Sequence, residues 1–191
     1  GVHANDYVAS FKTETAVPVE KFQLAIVPFL PPDISVRRAR AVPEDFHARF
    51  SCVKKEYVYK IYHANVPDPF RRDRELFHPY PLNAEIMARA AESIAGTHDF
   101  TAFRASGSAV RNAVRTVYAC EVKKTADGVV IRVSADGFLY NMVRIIAGTL
   151  LYVSDGKLSA ADIPRLIEKK DRTLSGVTLA PHGLYLNRVW Y

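Results

Sequence analysis

Residues 137–154 read GFLYNMVRIIAGTLLYVS, and a single charge interrupts them, Arg144. Apolar side chains surround it: Phe138, Leu139, Met142, Val143, Ile145, Ile146, Leu150 and Leu151. The run predicts a helix that is apolar on most of its faces, and such a helix belongs in a core. A guanidinium cannot be neutralised in a protein, and burying one without a partner is costly. Arg144 is therefore expected to meet a carboxylate, a phosphate or a cleft open to water. One reading is a structural ion pair. The other is a cation at the floor of an active site, holding an essential anion.

Working outward, 191 residues suffice for one sizeable core or two small ones. A hydrophobic content of 49% with 24% charged residues describes a globular chain rather than a disordered one. The run around Arg144 sits at the short limit for a bilayer span and carries Arg144, Asn141 and Gly148, so no membrane segment is expected. The opening GVHANDYVASF has neither a basic n-region nor an apolar h-region, so no secretory signal is expected. It also lacks an initiator Met, as a processed or truncated end would. Cys52 and Cys120 have no CxxC or CxxH neighbour, which argues against zinc and for two reduced thiols in a cytoplasmic protein.

The net charge of +6 is concentrated. Ten basic residues fall between positions 37 and 74, namely Arg37, Arg38, Arg40, Arg49, Lys54, Lys55, Lys60, Arg71, Arg72 and Arg74, against five acids, for a local charge of +5. Such a surface favours a polyanion, most simply nucleic acid. The interleaved Phe46, Phe50, Tyr57, Tyr59 and Tyr62 favour RNA, whose bases stack on aromatic rings.

Periodicity predicts the elements. Residues 6–11 alternate as a strand. Pro18 opens a helix with Val19, Phe22, Ile26 and Phe29 at helical spacing. A turn at 30–33 separates it from strands at 34–42 and 49–62. In the latter, Tyr57, Tyr59 and Ile61 share one face, and Val58, Lys60 and Tyr62 the other. Residues 63–82, with four prolines, read as a long loop. Asn83 caps a helix closed by Gly96. A loop carrying Phe100, Phe103 and Arg104 follows. Strands at 115–123 and 128–135 meet at an Asp127-Gly128 hairpin. The Arg144 helix, an amphipathic helix near 160–170 and a final strand from Gly183 complete the chain. The order is β-α-β for residues 1–48 and then β-α-β-β-α-α-β, an α+β arrangement of mostly antiparallel strands.

No P-loop, GxGxxG, GxSxG or HExxH is present, and the six histidines lack metal-ligand spacing. An enzyme built this way would work through acid–base or covalent side-chain chemistry.

Eight blocks nevertheless carry a resemblance. They are GVHA (1–4), VPEDFHARFS (42–51), KEYVYKIY (55–62), GTHDFTAFR (96–104), VRTV (114–117), FLYNMVRIIAGTLL (138–151), KDRTLSG (170–176) and HGLYL (182–186). In this order the chain resembles the C-terminal three-quarters of the bacterial tRNA pseudouridine synthase A (TruA) family. The resemblance implies the pseudouridine synthase fold: two ferredoxin-like-related α+β halves whose mostly antiparallel sheet lines an RNA-binding cleft. Residues 1–45 would be the remainder of an N-terminal half and 46–191 the C-terminal half. It implies isomerisation of uridine to pseudouridine at positions 38–40 of the tRNA anticodon stem-loop, without metal or organic cofactor, by a cytoplasmic homodimer that binds tRNA across both subunits.

Residue by residue, the resemblance makes Tyr57 the ring that stacks on the target base. Arg144 becomes the counter-ion of the catalytic aspartate, and Leu184 the apolar residue against the base. Arg49, Lys54, Lys55, Arg104, Arg111 and Arg115 would be phosphate contacts. The nucleophilic aspartate belongs to GRTDAGVHA, and the chain begins at the second Gly of that motif, so the aspartate is expected upstream of Gly1 and the 191 residues alone are expected to be inactive. Asp6 falls after the motif and is no substitute. Two further departures are Val-Pro-Phe-Leu-Pro at 27–31, where the family often has Asn-Ala-Asn-Leu-Pro, and Glu56 before Tyr57, where a basic residue is common. The competing readings are a non-catalytic RNA-binding module on the same platform and, less favoured, a protein-interaction domain with a basic face.

Overall fold

The tyrosine strand organises the molecule. In a computed structural model, which describes residues 1–107 and 110–191, Lys54–His63 forms β2 at the centre of a seven-stranded sheet. The others are β1 (His3–Ala4), β3 (Leu76–His78), β4 (Gly96–Asp99), β5 (Val114–Lys124), β6 (Gly128–Ala135) and β7 (Leu184–Trp190). The order is β1-β7-β2-β6-β5-β4, with β3 beside the end of β2. β1 runs parallel to β7 and β3 parallel to β2; every other pairing is antiparallel. The fold is α+β, with the mostly antiparallel sheet that the sequence predicts.

Strand alternation decides where the core lies. Tyr59 and Ile61 are fully buried, in register with Ile131 and Val129 of β6, and Leu184 of β7 pairs with Tyr59. Helices α2 (Ala84–Glu92) and α3 (Met142–Ser154) supply Met87, Ala90, Ala91, Ile145, Ile146 and Leu150 to the same cluster, and α4 (Asp162–Lys169) adds Ile163 and Leu166. Each large side chain buried this way contributes roughly 1.5–3 kcal/mol. On the opposite face of β2, Tyr62 is buried beneath Phe77, at a ring distance of 5.5 Å, and the Arg71 guanidinium, 4.0 Å from its ring centre.

The chain divides into two compact units, Gly1–Tyr7 with Val53–Tyr191, and Val8–Cys52. All seven strands and α2–α4 belong to the first. The second holds α1 (Phe22–Ile26) between two 3-10 turns, and a turn in which the Ile34 amide donates to the Pro31 carbonyl. Its residues are all described and none is buried. The Phe11 and Phe22 rings lie 5.4 Å apart.

Several expected elements differ. The strands expected at 6–11 and 34–42 do not form, so residues 1–48 are not β-α-β; β1 is confined to His3–Ala4. Alternation makes a strand only where a neighbouring edge accepts its backbone hydrogen bonds. The strand expected from 49 begins at Lys54, because the Phe50 and Ser51 amides turn back to the His47 carbonyl. The loop expected at 63–82 contains β3, and the one after Gly96 contains β4 and a 3-10 turn at Thr101–Phe103. Asn83 caps α2 as predicted, its side chain accepting from the Ile86 amide. That helix ends at Glu92, and Gly96, with φ +121°, starts β4 instead of closing the helix. The hairpin forms between β5 and β6. Both cysteines are free thiols, Cys120 buried and Cys52 half-buried.

Candidate functional site

The apolar run at 137–154 is a helix only from Met142, because Asn141 adopts the left-handed conformation (φ 59°). Asparagine tolerates that conformation better than most residues. An asparagine at this position commonly caps the first amides of the helix. Here its side chain makes no such cap, and Oδ1 instead accepts from Arg144 Nη1 at 2.8 Å. In the first turn of α3, Arg144 also donates from Nε to the Leu179 carbonyl at 2.6 Å.

Leu179 reaches that position because two glycines let backbones touch. A Cβ on Gly176 would lie 2.3 Å from the Gly148 carbonyl carbon, and one on Gly148 would lie 2.0 Å from the Val177 carbonyl oxygen. The segment after the KDRTLSG block can therefore lie directly on α3. Thr149 fastens it there, accepting from the Gly176 amide at 2.9 Å.

The sheet supplies the second wall. The Tyr59 hydroxyl donates to the Ala180 carbonyl at 2.6 Å, one residue beyond the Arg144 acceptor. Burial pushes the Tyr59 phenol above its ordinary value, and the nearby Arg144 charge opposes that shift. Tyr59 is thus a neutral donor, not a base. Tyr57 is half-buried on the same face, its ring edge-on to Phe138 at 5.0 Å. Leu184 is buried opposite Tyr59, while Leu186 stands opposite Tyr57. β1 brings in the chain's first residues: His3 pairs with Tyr185, and a Cβ on Gly1 would lie 3.1 Å from Pro181 Cγ. The first residues of the chain thus meet the 181–185 segment, which continues from the Leu179 acceptor of Arg144.

The electrostatics are lopsided. Arg144 is half-buried, and both its hydrogen-bond acceptors are neutral. Among the described residues it makes no ion pair. A partly desolvated guanidinium held only by dipoles keeps its charge and can attract an anion. Of the partners expected for Arg144, no carboxylate pairs with it among the described residues.

The predicted phosphate contacts are scattered. Lys55 lies two residues from Tyr57 on β2 and shares its face. Lys54 Nζ lies 4.7 Å from the Trp190 ring centre and 5.5 Å from that of Tyr118. Arg104 Nη1 donates to the Val110 carbonyl, and Arg115 Nη1 to the Asn112 and Val114 carbonyls. Arg111 is exposed. Arg49, within the Val8–Cys52 unit, is exposed with its guanidinium 5.6 Å from the Phe50 ring centre. Among the described residues no group of three His, Cys, Asp or Glu side chains could hold a metal, and no helix is long and apolar enough to cross a membrane.

Sequence reasoning missed Asn141, Tyr59 and the Leu179 carbonyl. The pairing of Asn141 with Arg144 at i, i+3 was a readable signal. The Leu179 contact, 35 residues away and through backbone, left none.

The comparisons with known proteins agree with one another. A profile of the family described as tRNA pseudouridine synthase matches residues 90–191. The tRNA pseudouridine synthase A of Bacillus subtilis (strain 168) is 46% identical over 191 residues, covering 100% of this chain and 77% of that protein. That of Bacillus licheniformis is 48% identical, with 100% and 77% covered, and that of Thermoanaerobacter sp. (strain X514) is 46% identical, with 100% and 78% covered.

Proposed function

The chain belongs to the tRNA pseudouridine synthase family, and on that premise we propose that Arg144, Tyr57 and Leu184 form the reacting end of a site that isomerises uridine at positions 38–40 of the tRNA anticodon stem-loop. The family's enzymes are isomerases acting on tRNA. In the reaction the C1′–N1 bond of uridine breaks, a C1′–C5 bond forms, and the proton lost from C5 is balanced by one gained at N1. No atom leaves for good, so the site must hold a detached base while it turns. The base must also leave its stack to enter.

The observation that carries the reading is Arg144, a half-buried cation whose hydrogen-bond acceptors among the described residues are a carbonyl and an amide oxygen. A guanidinium fixed in this way has an unfilled demand for an anion, and its planar fork suits a carboxylate or phosphate. We assign that anion to the family's nucleophilic aspartate, which we place outside the 191 residues. Paired with Arg144, the aspartate stays ionised and nucleophilic. Tyr57 stacks on the uracil, with Leu184 packed against the base. Arg49, Lys54, Lys55, Arg104, Arg111 and Arg115 hold phosphates, and two copies of the protein share one tRNA. Residues 1–45 are taken as the remainder of one α+β half and 46–191 as the other, in a cytoplasmic enzyme.

The test is pseudouridine formation on an unmodified tRNA transcript. The full-length protein should convert the anticodon-arm uridines, and the 191-residue chain should convert none. Turnover by the 191-residue chain would show that the nucleophile lies within it. Tight tRNA binding by the full-length protein without turnover would instead favour a non-catalytic RNA-binding module.

A further inference from the structure

An open cleft of about 510 Å³ lies between the KDRTLSG block and the 3-10 turn Thr101–Phe103, lined by Arg104, Ser106, Lys170, Arg172 and Thr178 among others. Three of these are cations. Arg172 donates from Nη1 to Ser175 Oγ at 2.8 Å and from Nη2 to Thr178 Oγ1 at 3.2 Å, both neutral acceptors. Arg104 is held by the Val110 carbonyl. Neither arginine makes an ion pair among the described residues. Lys170 pairs with Asp99 at 2.9 Å, but Asp99 also accepts from the amide and hydroxyl of Thr101, so its charge is shared. Those contacts, the Thr101 bonds foremost, hold the Asp99 carboxyl below its ordinary value. The cleft therefore carries three cations against one committed carboxylate.

Its place in the fold ties it to the reacting end. Thr178 directly precedes Leu179, whose carbonyl accepts from Arg144. The Ala105 amide, next to Arg104, donates to the carbonyl of Tyr140, which directly precedes Asn141, the other acceptor of Arg144. The two segments that cradle Arg144 thus continue into the walls of the cationic cleft. Lys170 sits there in the left-handed conformation (φ 55°), which is costly for a residue with a side chain.

We propose that the Arg104–Lys170–Arg172 cleft binds a backbone phosphate of the RNA next to the nucleotide that enters the site. The ligand is a phosphodiester because two arginines whose forks meet only neutral acceptors among the described residues, with a lysine beside them, match a tetrahedral oxyanion, and because a nucleotide leaving its stack brings its flanking phosphate to the protein. Neither Lys170 nor Arg172 has another assigned part in RNA binding. This inference rests on the pseudouridine synthase reading, and the experiment separates the two.

Parent, Arg104→Gln, Arg172→Gln and Lys170→Gly are made in the full-length protein. Lys170→Gly removes the charge while relieving the left-handed backbone, so it should fold even if Arg172→Gln does not. Dissociation constants for unmodified tRNA are measured across salt concentrations. Each folded variant should bind several-fold more weakly at low salt, and the slope of log affinity against log salt should be shallower by about 0.7–0.9, one phosphate contact. The maximal single-turnover rate at saturating tRNA should change less than the affinity does. An anticodon stem-loop carrying one neutral methylphosphonate beside the target uridine should bind the parent more weakly, and the penalty should be smaller for Lys170→Gly and Arg104→Gln. Unchanged affinity and slope in folded variants overturn the cleft assignment, as does a methylphosphonate penalty equal in parent and variants. A parent that neither binds nor modifies tRNA overturns the function itself.

Discussion

Two arginines lie against tyrosines of the same strand and live by opposite rules. Arg71 covers the ring of Tyr62 at 4.0 Å and is ion-paired to both Glu75 and Asp127. Its hydrogen bond to Asp127, opposed only in part by burial, pushes the guanidinium further above its already high value. Arg144 lies near Tyr59, and its hydrogen-bond acceptors among the described residues are a carbonyl and an amide oxygen. Arg71 is satisfied by its own chain; it fastens the 63–75 segment over one face of β2. Arg144 is aimed rather than satisfied. A cation compensated within its own chain does structural work, and one held by neutral dipoles is poised for an anion that comes from elsewhere.

The largest effect that could break this contrast is at Arg144. In the full-length protein Arg144→Ala should lower the single-turnover rate by about 10²–10⁴-fold, the equivalent of roughly 3–5 kcal/mol for orphaning a partly buried charge partner. The affinity for tRNA should fall far less, because the proposed phosphate contacts elsewhere would remain. Arg144→Lys should restore part of the rate, since it keeps the charge and loses the fork. Equal losses in rate and affinity would make Arg144 an ordinary binding residue.

Gly148→Ala sharpens the contrast by disturbing the cradle without touching the charge. The added methyl would meet the Val177 carbonyl and push the 176–180 segment off α3. Unfolding free energy should drop by roughly 1–3 kcal/mol, as for other forced overpacking, and the rate per folded molecule should fall with it. A variant with parental stability and rate would show that Leu179 does not depend on this contact.

Arg71→Ala should be a stability variant. Its ion pairs are partly exposed, with Arg71 and Glu75 both at 25% and Asp127 at 50%, so about 1 kcal/mol, between the surface and buried ranges, is the expected loss in urea unfolding. The smallest expected effect is its pH dependence. Asp127 is held below its ordinary value, first by its hydrogen bond to Arg71. A depressed carboxyl stabilises the fold above its unfolded pKa, about 3.9, and that stabilisation is lost as pH falls through the lower folded value. The stability gap between parent and Arg71→Ala should therefore hold from pH 7 to about pH 4 and close below it. A gap that stays constant down to pH 2.5 would remove Asp127 from the account.

The legible parts of the molecule are those where local pattern and tertiary context agree. The β5–β6 hairpin, the Asn83 cap and the apolar surroundings of Arg144 follow from spacing and turn chemistry, and all three form. The strands read at 6–11 and 34–42 do not, although their alternation is as clear as that of β2. Unlike β2, which is paired on both sides by β6 and β7, those segments have no ladder in the Val8–Cys52 unit. In the site, the sequence pointed to Arg144, Tyr57 and Leu184 because each sits in a recognisable block. The contacts that aim Arg144 come through the Leu179 backbone and the left-handed turn at Asn141, which depend on conformation more than on residue type.

The central claim is that Arg144 acts on the reaction and Arg71 on the fold, and one paired measurement tests it most directly. Single-turnover rates of Arg144→Ala and Arg71→Ala are measured in the full-length protein, each corrected for its folded fraction from a urea titration of the same preparation. The account predicts that Arg71→Ala keeps the parental rate per folded molecule while Arg144→Ala loses at least about two orders of magnitude. Equal rates per folded molecule for the two variants would contradict it.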